Sequence, residues 1–179
     1  MNQLPKVLGC AAVLAAVTAS PALGQSAVTD YRDEFLRQFE ASSRKVMMLA
    51  DAIPEELYTW SPGEGVMSIA RVYMHIARYN YGYPAGALDV PAPEGVDLDT
   101  MEDITDKAMV TRILSQSVDH VRRTASAMTE GELRRPTRLY GREIARWAVL
   151  LQLIAHMNEH VGQSVSYARM NDIVPPWSR

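Results

Sequence analysis

The chain has 179 residues, of which 47% are hydrophobic and 22% are charged, and its formal net charge at pH 7 is −3. This is an ordinary globular composition, and the length suits one domain with a sizeable core. Lysine and arginine are scattered, apart from isolated arginine pairs at 122–123 and 134–135, so no nucleic-acid-binding surface is indicated. No segment after the N-terminal region is long and apolar enough to suggest a membrane span.

Residues 1–24 have the pattern of a secretory signal peptide. A lysine precedes the apolar run VLGCAAVLAAVTAS, which is too short to cross a bilayer, and the small residues Ala22 and Gly24 suit cleavage after Gly24. VLGC faintly resembles a lipoprotein box, but the apolar run follows Cys10 instead of ending at it. We therefore expect an exported protein, periplasmic or secreted, whose mature chain 25–179 has no cysteine. Histidine and carboxylate are then its candidate metal ligands.

Four later stretches have helical periodicity, and strand signals are almost absent. The first predicted helix begins at Asp30, a candidate N-cap, and ends before Pro54. The second follows a turn-rich segment, with Ser68 as its candidate cap, and is predicted to end before Pro84. Residues 84–100 contain several prolines and glycines and form the longest irregular stretch.

A third helix is predicted from about Thr105 to Met128, and residues 129–141 are predicted to be a loop. The fourth helix is predicted from near Arg142 to about Met170, because VPPWSR after Asn171 cannot continue a helix. The pattern predicts an all-α fold, an up-and-down type four-helix bundle with one long crossover connection. Residues 25–179 would form this single domain.

The segment HMNEHVGQ places His156 and His160 one turn apart on the last helix, where two imidazoles can reach one metal ion. Histidines at this spacing also occur as solvated or core-capping residues, so the pair alone does not decide between these roles. The pair also fits the H-x-x-E-H motif of zinc proteases. That motif needs a further acidic ligand downstream, and no glutamate follows His160.

A third ligand must come from a facing helix. His75 lies in the middle of the second helix in a semi-apolar setting, which makes it the better candidate. His120 has charged residues on both sides, and we expect it to be solvated. Glu159 precedes His160 and is either a neighbour of the site, a general base or, as its direction on the helix favours, a solvated residue. Gln163, Tyr79 and Tyr167 are candidate pocket residues, although tyrosines at helical spacing are more often core.

HIARYNYG on the second helix and HMNEHVGQSVSYARMNDIVPPWS at the end of the chain resemble the DinB-like family of metal-binding four-helix bundles. The resemblance covers about residues 28–178. The features that match the family pattern are His75, His156, His160, Gly162, Gln163, Tyr167, Arg169, Pro175 and Pro176.

The resemblance implies a divalent ion, most often nickel or zinc, held by His75, His156 and His160 with water in the open positions. Water on such an ion is acidified and can act as a nucleophile. Some proteins of this family resemble thiol-dependent transferases and isomerases.

Three hypotheses follow. The first is an exported metal-dependent hydrolase or transferase that acts on a small molecule. The second is a non-catalytic bundle that binds a metal or small ligand, and the third is a bundle whose histidines merely pack. The sequence does not name the ligand, and it leaves open whether the chain forms a homodimer.

Overall fold

The computed structural model describes residues 26–178, with side chains from Tyr31 onward. The predicted signal peptide, with Cys10 and the expected cleavage site, lies outside the described residues. Within them the structure contains four long helices, one short helix and one β-hairpin. These elements are α1 (Ser26–Ala52), α2 (Ile69–Ala87), α3 (Lys107–Ala127), α4 (Glu130–Arg134), β1 (Pro136–Leu139), β2 (Arg142–Ala145) and α5 (Trp147–Met170).

The four long helices form the predicted four-helix bundle. α1 packs against α3 and α5. α2 lies diagonally opposite α1 and packs against the same two helices. The start of α3 lies at the end of α1, where Lys107 Nζ donates to the carbonyls of Asp51 at 2.8 Å and Ile53 at 2.7 Å. The start of α2 lies there too, because the backbone N–H of Ala70 donates to the carbonyl of Tyr58 at 2.8 Å. Hence α2 and α3 are parallel.

Residues 88–106 join these two parallel helices and form the predicted long crossover, since the chain must return along the bundle before α3 can begin. α5 runs parallel to α1, with Trp147 at its start in edge-on contact with Tyr31, ring centroids 5.3 Å apart. α5 is therefore antiparallel to α2. None of the described helices is both long enough and apolar enough to cross a membrane.

Several predicted helix boundaries are confirmed and others are wrong. Ser68 caps α2, because its side chain accepts the backbone N–H of Arg71 at 3.3 Å. The predicted end of α2 before Pro84 is wrong: the helix continues to Ala87, and the carbonyl of Pro84 accepts the N–H of Leu88 at 3.0 Å. Pro84 removes one helical N–H, but its burial with Ala87 in the core keeps the last turn in place. Asp30 lies inside α1 and does not begin it.

Residues 136–145, expected to be loop and helix start, form a two-stranded antiparallel hairpin, so α5 begins at Trp147 and not at Arg142. Tyr140 and Gly141 make the two-residue turn with φ values of 51° and 74°. Two positive φ values define the type I′ turn, whose twist matches that of paired strands. Tyrosine is an unusual residue at the first of these positions, so the turn was not predictable from the sequence.

Candidate metal centre

Three imidazoles meet between α2 and α5. His156 Nε2 and His160 Nε2 lie 3.2 Å apart, and the ring centroid of His75 is 5.1 Å from that of His156 and 4.9 Å from that of His160. One nitrogen from each ring can be chosen so that all three lie within 4.8 Å of one another. Two imidazole nitrogens on one tetrahedral zinc ion are about 3.3–3.4 Å apart, given Zn–N bonds of about 2.0–2.1 Å. The arrangement therefore fits a single divalent ion.

The two helices place these rings for simple reasons. The four-residue spacing puts His156 and His160 on the same face of α5. α2 packs against that face, and His75, about a third of the way along α2, lies at the same level. We predicted from the sequence that these three residues come together, and the structure brings them together.

Each of two imidazoles has its Nδ1 held by an acceptor. His75 Nδ1 lies 2.8 Å from Glu102 Oε1, and a carboxylate can only accept, so His75 Nδ1 carries the proton. His160 Nδ1 lies 2.8 Å from Gln163 Oε1, while the amide nitrogen of Gln163 donates to Tyr167 Oη at 2.9 Å. In both rings this leaves the Nε2 lone pair for a metal, the usual arrangement for metal-bound histidines.

Glu102 is the residue of the site that sequence reasoning missed. It lies in a single 3-10 turn (Met101–Asp103) of the crossover, 27 residues after His75. Arg71 Nε donates to its Oε2 at 3.1 Å, and a guanidinium nitrogen of Arg78 is 3.8 Å from its Oε1. Burial opposes ionisation of Glu102, but the hydrogen bonds from His75 and Arg71 outweigh it, so its pKa lies below the ordinary value. Nothing in the local sequence separates Glu102 from the other acids of the crossover.

The histidines on α5 are kept neutral by their surroundings. Burial, followed by the proximity of His160 and His75, lowers the pKa of His156 to about 3. Burial also lowers the pKa of His160, against the raising effect of its hydrogen bond with Gln163. Neutral imidazole is the form that binds metal, so His156 and His160 are in their metal-binding form at neutral pH.

Aromatic side chains border the imidazoles. The ring centroid of Tyr79 is 4.8 Å from that of His75 and 4.7 Å from that of His156. Tyr83, which the sequence did not single out, contacts His156 edge-on at 5.9 Å, and its hydroxyl is hydrogen bonded to that of Tyr140 in the hairpin turn. Tyr167 packs edge-on against Trp60 at 5.5 Å. Tyr79 and Gln163 thus contact the histidines, and Tyr167 is linked to them through Gln163.

Two acid–base residues lie elsewhere. Glu159 is exposed on the outer side of α5, as its direction on the helix favoured. His120 is not solvated, which makes the sequence-based expectation wrong: only 6% of it is exposed, and its ring packs against Tyr81 with centroids 5.1 Å apart. His120 lies on the inner face of α3, so its ring is buried although charged residues flank it in the sequence. It is not part of the histidine cluster.

The fold and this cluster define a four-helix bundle with a three-histidine site of metal-binding geometry. A family model described as the DinB superfamily matches residues 38–164, so the chain belongs to the DinB superfamily. No curated protein sequence matches the chain significantly.

Solved structures share the fold at low sequence identity. A DinB-like protein from Bacillus cereus has a TM-score of 0.70 at 18% identity, over 80% of this chain and 95% of the other. A DinB-like protein from Bacillus subtilis has a TM-score of 0.60 at 19% identity, over 79% and 93% of the two chains. YfiT from Bacillus subtilis, described as a probable metal-dependent hydrolase with an unusual four-helix bundle topology, has a TM-score of 0.64 at 12% identity, over 90% and 97%. At these identities the likeness shows the fold alone.

The lowered pKa of His156 makes the metal-free protein less stable in acid. Unfolding restores an ordinary histidine pKa of about 6.5, so below that pH the unfolded chain binds a proton that the native chain does not take up until about pH 3. We expect the free energy of unfolding, measured by urea titration, to fall from pH 7 to pH 5 with a slope of up to about 1.4 kcal/mol per pH unit for this residue. His156→Gln should flatten the slope, and an equal slope in both proteins would contradict this assignment.

Glu102→Gln should weaken zinc binding by about 10–100-fold, the usual effect of losing a carboxylate partner of a metal-bound histidine. The amide can still accept from His75 but no longer carries the negative charge. Competition with a chromophoric chelator measures the affinity. Glu159→Gln removes the same charge next to His160 and is the matched control, expected to stay within about twofold because Glu159 is exposed. Equal losses of zinc affinity in the two variants would mean that Glu102 acts only through its negative charge and not through its hydrogen bond with His75.

Proposed function

We propose that this protein is a metal-dependent hydrolase of a small molecule, with one divalent ion held by His75, His156 and His160. The observation that carries the proposal is the convergence of three imidazoles, two of them with Nδ1 held by an acceptor, between two packed helices. Membership of the DinB superfamily and the description of YfiT support it. The apolar run and small residues in 1–24 support export to the periplasm or the outside, as a further part of the proposal.

The donor set suits zinc or nickel. Both ions accept imidazole nitrogen readily, whereas magnesium and calcium prefer oxygen ligands. Three protein ligands leave at least one coordination position open, as in catalytic zinc sites. A bound ion would act as a Lewis acid, polarising a substrate carbonyl or phosphoryl group and lowering the pKa of water.

Residues around the proposed ion hold a histidine ligand in place, supply a proton donor and keep water out. Glu102 holds His75 in place, and the hydrogen bonds from His75 and Arg71 that lower its pKa make it a weak base toward water. Burial and the hydrogen bond with Tyr140 raise the pKa of Tyr83, so its phenol keeps a proton that it can donate to a substrate oxygen. Tyr79 covers the inner side of His75 and His156 and restricts water there.

Single substitution of the ligands tests the metal site. His75→Ala, His156→Ala and His160→Ala should each reduce bound metal, measured by inductively coupled plasma mass spectrometry, because two imidazoles hold an ion far less well than three. Circular dichroism should still show a helical protein, since the apolar core does not include these side chains. His120→Ala removes a histidine of the same bundle outside the cluster and should retain full metal. Retention of full metal by folded His75→Ala would overturn the three-histidine site.

Hydrolysis itself is tested with a panel of p-nitrophenyl esters and phosphates, with the zinc-loaded and nickel-loaded protein. At least one substrate should be turned over, and the rate should vanish with chelator or with His160→Ala and return when metal is restored to the native chain. Tyr83→Phe should lower kcat by about 10-fold or more if its hydroxyl donates to the reacting oxygen, with metal content unchanged. Full metal occupancy without turnover of any substrate would favour the non-catalytic binding protein instead.

A further inference from the structure

Two arginines fasten the crossover to α2, the helix that carries His75. Arg71 lies four residues before His75 and Arg78 lies three residues after it, so all three are on one face of α2. Arg71 Nε donates to Glu102 Oε2 at 3.1 Å, and Arg78 Nε donates to the carbonyl of Leu98 at 2.8 Å. The crossover is therefore bound to α2 about one turn before His75 and about one turn after it.

Each oxygen of the Glu102 carboxylate has its own partner. Oε1 accepts from His75 Nδ1 at 2.8 Å, and Oε2 accepts from Arg71. A single hydrogen bond would leave the carboxylate free to turn about its last side-chain torsion, because that torsion has only broad preferences. The second bond, from Arg71, fixes the plane of the carboxylate. The side chain of Glu102 is only 16% exposed, so water offers few alternative partners.

The crossover segment before Glu102 is itself well ordered. Leu98, the residue that Arg78 binds, precedes Glu102 by only four residues. Within this short segment the carboxylate of Asp97 accepts two hydrogen bonds, at 2.9 and 2.8 Å, from the turn that follows it, and the side chain of Met101 is buried in the core. A segment fixed at Leu98 therefore has little freedom in where it presents Glu102.

We propose that Arg71 and Arg78 are positioning residues of the metal centre and that they act on the ion through Glu102. The inference rests on the proposed function, because it concerns how His75 is held toward the ion. The charge of these arginines alone would work against the site, since a cation repels a nearby divalent ion. Positioning and charge thus predict opposite signs. Loss of Arg71 weakens metal binding through positioning and strengthens it through charge.

The zinc affinity of the full chain, measured by competition with a chromophoric chelator, tests this sign. We expect Arg71→Met, which removes the donor, to bind zinc about 3–10-fold more weakly than the native chain, a smaller loss than that expected for the carboxylate itself. Arg44→Met removes an exposed arginine from α1 and is the matched control, expected to bind zinc at least as tightly as the native chain. Undiminished zinc affinity of Arg71→Met would overturn the proposal.

Arg71→Gln separates the hydrogen bond from the charge. The amide nitrogen of glutamine is as many bonds from the backbone as arginine Nε, so it can donate to Glu102 without carrying a charge. We expect Arg71→Gln to regain most of the zinc affinity that Arg71→Met loses. Equal losses in these two variants would show that the hydrogen bond is not the cause, and the positioning role would be wrong.

A double substitution shows whether Arg71 acts through Glu102. The amide of Glu102→Gln has one acceptor oxygen and cannot be bound at two oxygens as the carboxylate is. We therefore expect Arg71→Met to cause no further loss of zinc affinity when it is combined with Glu102→Gln. The same loss in both backgrounds would mean that the two residues act independently, contrary to the proposal.

Arg78→Met tests the second contact. The crossover loses its fixed point at Leu98, so zinc binding should weaken in the native background and not in Glu102→Gln. All affinities are measured far below the melting temperature of each variant, so that unfolding does not contribute. Undiminished zinc affinity of Arg78→Met would overturn its part of the proposal.

The metal-free protein separates this inference from the proposed function. The Nδ1–H proton of His75 can be followed by NMR with isotope-labelled histidine, and its resonance is assigned by its absence in His75→Ala. We expect this proton to exchange with water several times faster in Arg71→Met than in the native chain or in Arg44→Met. An unchanged exchange rate would overturn the positioning role. Failure of the native chain to bind zinc would instead contradict the proposed function, and the exchange rate would still decide whether Arg71 fixes Glu102.

Discussion

The site depends on the packing of α2 against α5. This packing buries a strip of polar side chains, which would be costly to bury in an apolar core without hydrogen-bond partners. Along α5 this strip consists of Gln152, His156, His160, Gln163 and Tyr167. Each of these side chains has a partner in the strip or on α2: Gln152 donates to Tyr83 Oη at 3.5 Å, the two histidines approach each other, and Gln163 links His160 to Tyr167. Buried polar groups are tolerated when they are paired in this way. A shift of α2 along α5 would separate Gln152 from Tyr83 and would move His75 away from the other two imidazoles.

Helical periodicity carried enough information to predict the bundle and the convergence of the three histidines. The spacing of His156 and His160 is a local property of one helix, and the crossover follows from the prolines and glycines after α2. Glu102 was not predictable, because its contact with His75 depends on where the crossover passes over α2. The hairpin was not predicted from the sequence because its strands are short and its turn has a tyrosine at a positive φ. His120 was misjudged because neighbouring charges in sequence say little about which face of a helix a residue occupies.

Buried polar groups are arranged differently in two parts of the bundle. At the metal centre the polar atoms are paired with one another, and only the nitrogens facing the cluster remain to be used. Around His120 and Arg146, polar atoms are buried and left without partners. The first arrangement is preorganised and can exist without a ligand at little cost. The second leaves buried polar atoms unpaired, which costs about 1–3 kcal/mol for each.

The position of Glu102 also has a consequence for how proteins with this fold diverge. The histidines lie on the core-packed faces of two helices, where sequence is restricted, but the carboxylate that orients His75 comes from the irregular crossover. Irregular segments accept insertions and substitutions more readily than packed helices do. The strength with which the site holds its ion can therefore drift through changes in one loop while the bundle and all three histidines stay as they are. Proteins with the same three ligands can differ in metal preference for a reason that an inspection of the ligands alone would not reveal.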